Sequence, residues 1–305
     1  MTPPSRPRPH DSRSAFGLLA VAVVLFGSAW PVMKIGLSGA TPLWFAAARI
    51  GLGAATAFLL LAALGRLKIP ERRDLPIVAT IAIFQLTLFH SFSQLGLRNL
   101  PAGRSAVLAY TTLLFLVPLA CLTGERINRW SGAGCLLGVT GIAVLLAPQS
   151  IDWTTDGAIA GHLWLLMAAA SWALAIFHAR RHAWHLGPLE LLPWQLLLAT
   201  FLAFPLAALF EPDGGIVAES GPLLCLAYLG ILAGPTATWA ATSVSRLLPT
   251  TVSSLGFLGV PVLGLTISAL WLGEAIDGPL LLGAVLILCG VGAVTLGAAR
   301  PSAEP

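Results

Sequence analysis

Ten apolar runs, each long enough to cross a bilayer as a helix, follow one another along this chain with short polar links between them. A helix needs about 20 mainly apolar residues to span the hydrocarbon core of a membrane. The sequence therefore predicts an all-α integral membrane protein with ten transmembrane helices. The predicted spans are residues 15–36, 42–64, 75–96, 103–122, 130–147, 160–182, 188–209, 221–243, 250–271 and 278–299.

The low charge content supports the same fold class. Only 10% of the 305 residues are charged and 57% are hydrophobic, whereas soluble domains carry about a quarter charged residues. Strands of a transmembrane β-barrel would alternate between polar and apolar side chains. Runs such as 106–122 and 278–299 are apolar on every face, so the pattern excludes a barrel and favours helices.

Lysine and arginine are divided unevenly between the links. Of the 17 basic residues, thirteen fall on the side of the membrane that holds the N-terminus. Because positively charged links are retained in the cytoplasm, we expect both termini to be cytoplasmic and the membrane to be the plasma (inner) membrane. The net charge of +4 then reflects topology, and we expect no nucleic-acid partner. The thirteen residues are Arg6, Arg8, Arg13, Arg66, Lys68, Arg72, Arg73, Arg126, Arg129, Arg180, Arg181, Arg246 and Arg300.

The two halves of the chain resemble each other. A Leu-Pro pair at 100–101 recurs at 248–249, and a Gly-Glu pair at 124–125 recurs at 273–274. Ordered matches at a nearly constant offset indicate an internal repeat. Because each copy crosses the membrane five times, an odd number, the second copy must be inverted relative to the first.

These matches define the predicted domain organisation. The segments are a disordered cytoplasmic tail over 1–14, a first repeat over 15–147, an external linker over 148–159, a second repeat over 160–299 and a cytoplasmic tail over 300–305. Inverted repeats are a transporter architecture in which the substrate site lies near the midplane between the copies.

Several segments carry motifs of a known membrane-protein family. They are FGSAWPVMKIGL (26–37), TPLWFAAARIGLG (41–53), AGRSAVLAYTTLLFL with GERINRWSGAGCLLGVTGIAVLL (within 102–146) and VPVLGLTISALWLGEAIDGPLLLGAVLILCGVGAVTL (260–296). In their order these segments resemble EamA-type carriers of the drug/metabolite transporter superfamily. The resemblance implies two five-helix EamA repeats and alternating-access transport of a small metabolite, often as export, with amino acids or their derivatives as the commonest substrates.

One position departs from the family pattern. Leu113 stands where the first repeat would usually show a proline, as Pro261 does in the second repeat. Proline removes a helix N–H and kinks the chain. We therefore expect Pro118 to supply the kink in the fourth helix.

The function expected from the sequence is secondary transport of a small-molecule substrate. No Walker A sequence is present, so we expect neither ATP hydrolysis nor a cofactor, and we do not expect an enzyme. Two alternatives stay open. An intramembrane lipid-modifying enzyme would need a nucleophile with a base, or clustered ligands, within the bilayer, and a channel would favour rings of repeated pore-lining groups.

The acidic residues limit the class of substrate. No Asp or Glu lies deep within any predicted span, so a cationic substrate would lack a counter-charge. We therefore expect a neutral, zwitterionic or anionic metabolite, such as an amino acid or a derivative. Glu125 and Glu274 lie near span ends, where helix caps or ion pairs within the loops are the expected roles.

Polar residues inside the spans are the candidates for the substrate cavity, because such residues are costly in lipid. One stripe of the third span is polar, either as a cavity wall or as hydrogen bonds between helices. Its members are Thr87, His90, Ser91 and Gln94. Lys34 and Arg49 are charges within spans, and either could contact the substrate. The alternatives are that Arg49 ties the second helix to a cluster of carbonyls and that Lys34 snorkels to the outer surface. With the aromatic residues, the candidates are Trp30, Lys34, Arg49, Thr87, His90, Gln94, Tyr110, Trp172 and Trp239.

Two further patterns have a structural explanation. His178, His182 and His185 have the helical spacing of metal ligands, but Arg180 and Arg181 between them favour a solvated helix end, and we expect no metal site. Glycines in the fifth and tenth spans permit close helix packing or dimerisation. They are Gly134, Gly138, Gly141, Gly283 and Gly290. The sequence is compatible with a monomer or a homodimer.

Overall fold

The structure is a computed structural model that describes residues 9–124, 129–147, 156–248 and 250–298. Within these residues, ten helices are long and apolar enough to span a membrane, which confirms the predicted fold class. The spans are α1 (Ser14–Gly36), α2 (Pro42–Ala63), α3 (Leu75–Asn99), α4 (Ala102–Leu122), α5 (Arg129–Leu146), α6 (Ala158–Arg181), α7 (Pro188–Phe210), α8 (Ser220–Val244), α9 (Val252–Leu272) and α10 (Gly278–Gly297).

The ends of the chain differ in part from the predicted boundaries. The first helix begins at Pro9, inside the segment predicted as a tail. Glu125, the remainder of the tails and most of the predicted external linker lie outside the described residues. We call the end of the bundle that holds the α2–α3 and α6–α7 links the basic end, and the end that holds the α3–α4 and α9–α10 links the opposite end.

The helices pack as two inverted five-helix units. Helix α2 packs against α7, α4 against α9, and α5 against α10, so each of these pairs joins equivalent helices of the two repeats. The contact of α3 with α6 has its counterpart in the contact of α8 with α1. A two-fold relation between the repeats accounts for all five contacts.

Two helices change their winding at equivalent places. Helix α3 contains a π-helical segment at Ile81–Leu88, and α8 contains one at Tyr228–Ala233. These segments start 147 residues apart, close to the offset of the sequence repeat. Since π turns in α-helices are rare and occur frequently at functional sites, their pairing draws attention to α3 and α8.

Helices α4 and α9 are each interrupted within their spans. Helix α4 consists of Ala102–Ala109 and Thr112–Leu122, and the α9 segment Gly259–Leu272 is preceded by a separate helix, Thr250–Phe257. This interruption of α4 lies before Thr112, whereas Pro118 lies inside the second segment, so Pro118 does not cause it. A bend at Pro118 itself stays a prediction. The hydroxyls of Thr111 and Thr112 bind the carbonyls of Leu108 and Ala109, and such bonds compete with the helical pattern.

The contact between α5 and α10 is built from glycines. A Cβ atom on Gly134 would lie 2.5 Å from the carbonyl oxygen of Gly290, and one on Gly141 would lie 2.8 Å from that of Gly283. Small residues permit backbones to approach closely within a membrane. These glycines are therefore used to pack the two repeats of one chain together.

Candidate functional site

The polar candidates converge at one point, on the sulfur of Met33 in α1. The Arg49 guanidinium donates from Nη1 to Met33 Sδ at 2.9 Å, and the Gln94 amide donates from Nε2 to the same sulfur at 3.0 Å. Helices α1, α2 and α3 each supply one of the three side chains. The arrangement brings two candidates from the sequence together through a residue that the sequence did not single out.

Helix α2, which carries Arg49, lies against the π-helical segment of α8. The backbone carbonyl of Arg49 would lie 3.2 Å from a Cβ atom on Gly230, so the missing side chain at Gly230 allows the helices to approach. The guanidinium is directed toward Met33. Among the described residues, that sulfur is its hydrogen-bond partner, and no carboxylate forms an ion pair with it.

Gln94 is fully buried, and only one end of its amide has a hydrogen-bond partner among the described residues. Its side chain is 0% exposed, and its Oε1 atom has no hydrogen-bond partner among the described residues. Leaving a buried acceptor unpaired costs about 1–3 kcal/mol. The amide therefore retains an unsatisfied polar end beside the Arg49 guanidinium.

Lys34 binds backbone carbonyls, unlike Arg49, which donates to a side chain. Its Nζ atom donates to the carbonyls of Leu97, Arg98 and Leu100 at 2.7, 3.2 and 2.9 Å. These carbonyls lie at the C-terminal end of α3, where a helix leaves its acceptors unpaired and favours positive charge. The contacts favour a structural role for Lys34, as a cap that ties α1 to α3.

The other polar candidates of α3 point to different neighbours. The Thr87 hydroxyl is buried and donates to the carbonyl of Ala199 in α7 at 3.4 Å. His90 contacts the Gln85 carbonyl within its own helix, from Nδ1 at 3.2 Å. Of Thr87, His90 and Gln94, Gln94 is thus the residue whose side chain forms a hydrogen bond with α1.

The candidate tryptophans occupy separate environments. Trp30 is buried in the core beside Gly264 of α9. Trp172 of α6 packs against Phe89 of α3, with ring centroids 4.8 Å apart. Trp239 is 44% exposed and lines a small cavity of about 70 Å³ near the basic end, together with Arg66 and Ser243.

The two tyrosines of the chain mark the helix irregularities. Tyr110, a predicted candidate, lies at the break in α4 and packs against an apolar cluster that includes Val23 and Val244. Tyr228, which the sequence interpretation missed, begins the π-helical segment of α8, and its hydroxyl lies 2.7 Å from that of Ser28 in α1. Their rarity, with only two tyrosines among 305 residues, is the signal that could have identified both.

A larger groove is not part of this site. It has a volume of about 550 Å³ and lies between the ends of α5 and α10, where Thr140 is its one polar side chain and Ala143, Pro279 and Leu282 contribute to an apolar wall. The groove is away from Arg49 and Gln94, and its lining offers little to orient a polar metabolite.

Acidic side chains at the opposite end cap helices rather than pair with Arg49. Glu274, in the α9–α10 link, accepts the backbone N–H groups of Ala102 and Gly103 at the start of α4, at 2.6 and 2.9 Å. Glu211 accepts the N–H of Leu43 at the start of α2 at 3.0 Å. The predicted role of Glu274 at a helix end matches this geometry.

The histidines of the α6–α7 link meet a buried carboxylate at the basic end. Asp74 is 0% exposed and accepts the backbone N–H groups of His185 and Leu186 at 3.1 and 3.3 Å. His182 Nε2 lies 3.7 Å from the same carboxylate. Burial acts to raise the pKa of Asp74, but these hydrogen bonds and the neighbouring histidines hold the pKa below its usual value. This contact joins the α2–α3 link to the α6–α7 link.

Comparison with known proteins identifies the same family in both halves of the chain. The EamA-like transporter family matches residues 13–147 and again residues 159–296. A probable amino-acid metabolite efflux pump of Salmonella typhimurium is 30% identical, over 92% of this chain and 94% of its own. A probable terminal-alkyne amino-acid exporter of Streptantibioticus cattleyicolor is 27% identical, over 94% of this chain and 96% of its own.

A solved structure has the same fold. A crystal structure with 24% sequence identity covers 95% of this chain and 99% of its own, with a TM-score of 0.63. At this identity the likeness concerns the arrangement of the helices and leaves the substrate open.

Proposed function

Because the chain belongs to the EamA-like transporter family, we propose that it is a secondary carrier that exports or exchanges a small metabolite across the inner membrane by alternating access. The substrate class is neutral, zwitterionic or anionic, with an amino acid or a derivative as the first choice. The names of the two relatives described above support this choice. In this proposal both termini and the basic end face the cytoplasm, as the distribution of Lys and Arg favours.

The observation that carries the proposal is the pairing of helix irregularities across the two repeats. The π-helical segments lie in α3 and α8, and the breaks lie in α4 and α9. Interrupted helices at the interface of inverted repeats are typical of carriers, in which one repeat rocks against the other around a central site. A pore that stays open to both sides does not require movement of one repeat against the other.

The contacts at the opposite end support a state closed on that side. Glu274 ties the start of α4 to the α9–α10 link, and Arg104 of α4 forms an ion pair with Asp277 at 3.4 Å. A carrier must open such contacts to exchange its substrate. Their position on α4 and beside α9 is consistent with movement of one repeat relative to the other.

Counterflow in proteoliposomes tests the proposal. Vesicles are preloaded with pools of amino acids, organic acids, sugars or nucleosides, and entry of the isotope-labelled pool is followed by mass spectrometry. We expect saturable exchange of chemically unchanged solute from at least one pool. Flux without saturation or counterflow would favour a channel, chemical conversion of a solute or lipid would favour an enzyme, and no exchange by folded protein would contradict the carrier.

A further inference from the structure

We propose that Arg49 and Gln94 form a subsite for the charged groups of an α-amino acid, with the substrate carboxylate on Arg49 and the ammonium group on Gln94. This inference rests on the proposed carrier function and assigns the recognition chemistry to two named side chains. It is carried by the unsatisfied hydrogen-bonding groups at the Met33 sulfur.

The first step concerns the charge of Arg49. A guanidinium has five N–H donors and stays ionised in proteins. Inside a membrane protein such a charge is expensive unless a partner compensates it, yet among the described residues Arg49 donates to the neutral sulfur of Met33. A carboxylate is the group whose shape and charge fit a guanidinium best, because it can accept two parallel hydrogen bonds.

The second step concerns the free end of the Gln94 amide. Its Oε1 atom is a buried acceptor without a partner among the described residues, while Nε2 shares the Met33 sulfur with Arg49. An ammonium group is a pure donor and would satisfy this oxygen. Rotation of the amide exchanges which atom faces the sulfur and leaves one end unpaired in either orientation.

The third step is that Met33 occupies the place of the substrate. A thioether is a weak acceptor, but two donors from different helices converge on it within 3.0 Å. The methionine side chain is unbranched and has three rotatable bonds, so it adapts readily to its surroundings. It can swing aside when a stronger acceptor arrives, and it fills the space when the substrate has left.

The fourth step is access from one side. Met33, Arg49 and Gln94 lie three to seven residues from the ends of their helices at the opposite end, which is about 5–10 Å at the rise of an α-helix. The closed contacts of Glu274 and Arg104 lie at the same end. Opening of these contacts would connect the subsite with that face of the membrane.

The test compares amino acids with analogues that lack one charged group. Proteoliposomes that exchange labelled L-amino acids are challenged from outside with three mixtures, namely the twenty L-amino acids, their carboxamides and their N-acetyl derivatives. We expect the carboxamides and the N-acetyl derivatives to compete about 10- to 100-fold more weakly, the range for hydrogen bonds to charged groups. Equal competition by the carboxamides in the wild-type protein would overturn the subsite.

Variants assign each charged group to its residue. Arg49→Gln should lose the preference for amino acids over carboxamides, and Gln94→Leu should lose the preference over the N-acetyl derivatives. Arg49→Lys keeps the charge but not the forked donors, so it should retain part of the carboxylate preference and serves if Arg49→Gln does not fold. Arg98→Gln, which removes an exposed arginine four residues from Gln94, should keep both preferences.

The outcomes separate this inference from the carrier proposal. Exchange restricted to sugars or nucleosides would leave the carrier proposal intact and overturn the subsite. An unchanged preference in folded Arg49→Gln and Gln94→Leu proteins would also overturn it. Absence of exchange with every pool would contradict the carrier itself. Size-exclusion chromatography and thermal unfolding establish folding for each variant.

Discussion

The carboxylate of Glu274 accepts the backbone N–H of Ala102 at 2.6 Å, so a residue of the α9–α10 link caps the first turn of α4. The same carboxylate accepts the N–H of Gly103, whose missing side chain lets Leu265 of α9 approach. One acidic side chain thereby joins the two interrupted helices of the two repeats at the opposite end.

Removal of this cap should loosen the opposite end. Glu274→Ala leaves two N–H groups of α4 without their acceptor, at a cost of about 0.5–2 kcal/mol for a lost cap. Cysteine introduced as Leu265→Cys, in a background without the four native cysteines, should then react faster with maleimide in detergent micelles. Glu219→Ala is the matched control, because Glu219 makes no side-chain cap at the start of α8. Equal labelling rates in both variants would contradict a closing role for Glu274.

Loss of the Lys34 ammonium group should affect stability and not substrate preference. Lys34→Met leaves three carbonyls at the end of α3 without their donor, which costs about 1–3 kcal/mol where the acceptors are buried. We expect a lower midpoint of thermal unfolding with an unchanged ratio of amino-acid to carboxamide competition. A tenfold change in that ratio at unchanged stability would instead make Lys34 a substrate contact.

Substitution of glycines in α10 should show position-dependent effects. A methyl group at Gly290 would meet the Gly134 carbonyl at 2.5 Å, whereas at Gly292 the nearest atom is 3.8 Å away on Leu258. Gly290→Ala should destabilise the protein by about 1–3 kcal/mol through overpacking. Gly292→Ala should be neutral or stabilising, since alanine favours a helix. Thermal unfolding in detergent distinguishes the two, and equal midpoints would contradict the tight α5–α10 contact.

The contribution of Asp74 to stability should depend on pH in one direction. A carboxyl whose pKa is lower in the folded state stabilises the fold above its unfolded pKa, near 3.9, and the effect is lost as pH falls through the folded value. Asp74→Asn should therefore unfold at lower temperature than the wild type at pH 7 and pH 5. The difference should shrink below about pH 4. A difference that disappears already at pH 5 would show that the Asp74 charge is not the cause.

The spans and the repeat could be predicted because hydropathy and recurring residue pairs are properties of the sequence itself. The carbonyl ligands of Lys34 could not, since they depend on where α3 ends beside α1. The role of Met33 was equally hidden, because a methionine within an apolar run has no sequence signal and acquires its partners only when α2 and α3 pack against α1. Arg49 and Gln94 stay predicted substrate contacts until exchange is measured.

The sequence also contains few signals from which the helix irregularities could be predicted. The π-helical segment at Ile81–Leu88 contains neither glycine nor proline. The break in α4 lies at Tyr110 and Thr111, while the proline of this helix, Pro118, lies within its second segment. Threonine hydroxyls bound to carbonyls of the preceding turn are common in helices, so their effect on this one could be recognised only in the three-dimensional arrangement.

The π-helical segments also set which faces of α3 and α8 carry which side chains. A π turn closes on the fifth residue instead of the fourth, so it holds one residue more than an α turn. One extra residue turns the following side chains by about 100° around the helix axis, the rotation per residue of an α-helix. Side chains on either side of Ile81–Leu88 and of Tyr228–Ala233 are therefore out of α-helical phase with each other. Each repeat thus contains one helix that presents different faces above and below its irregularity.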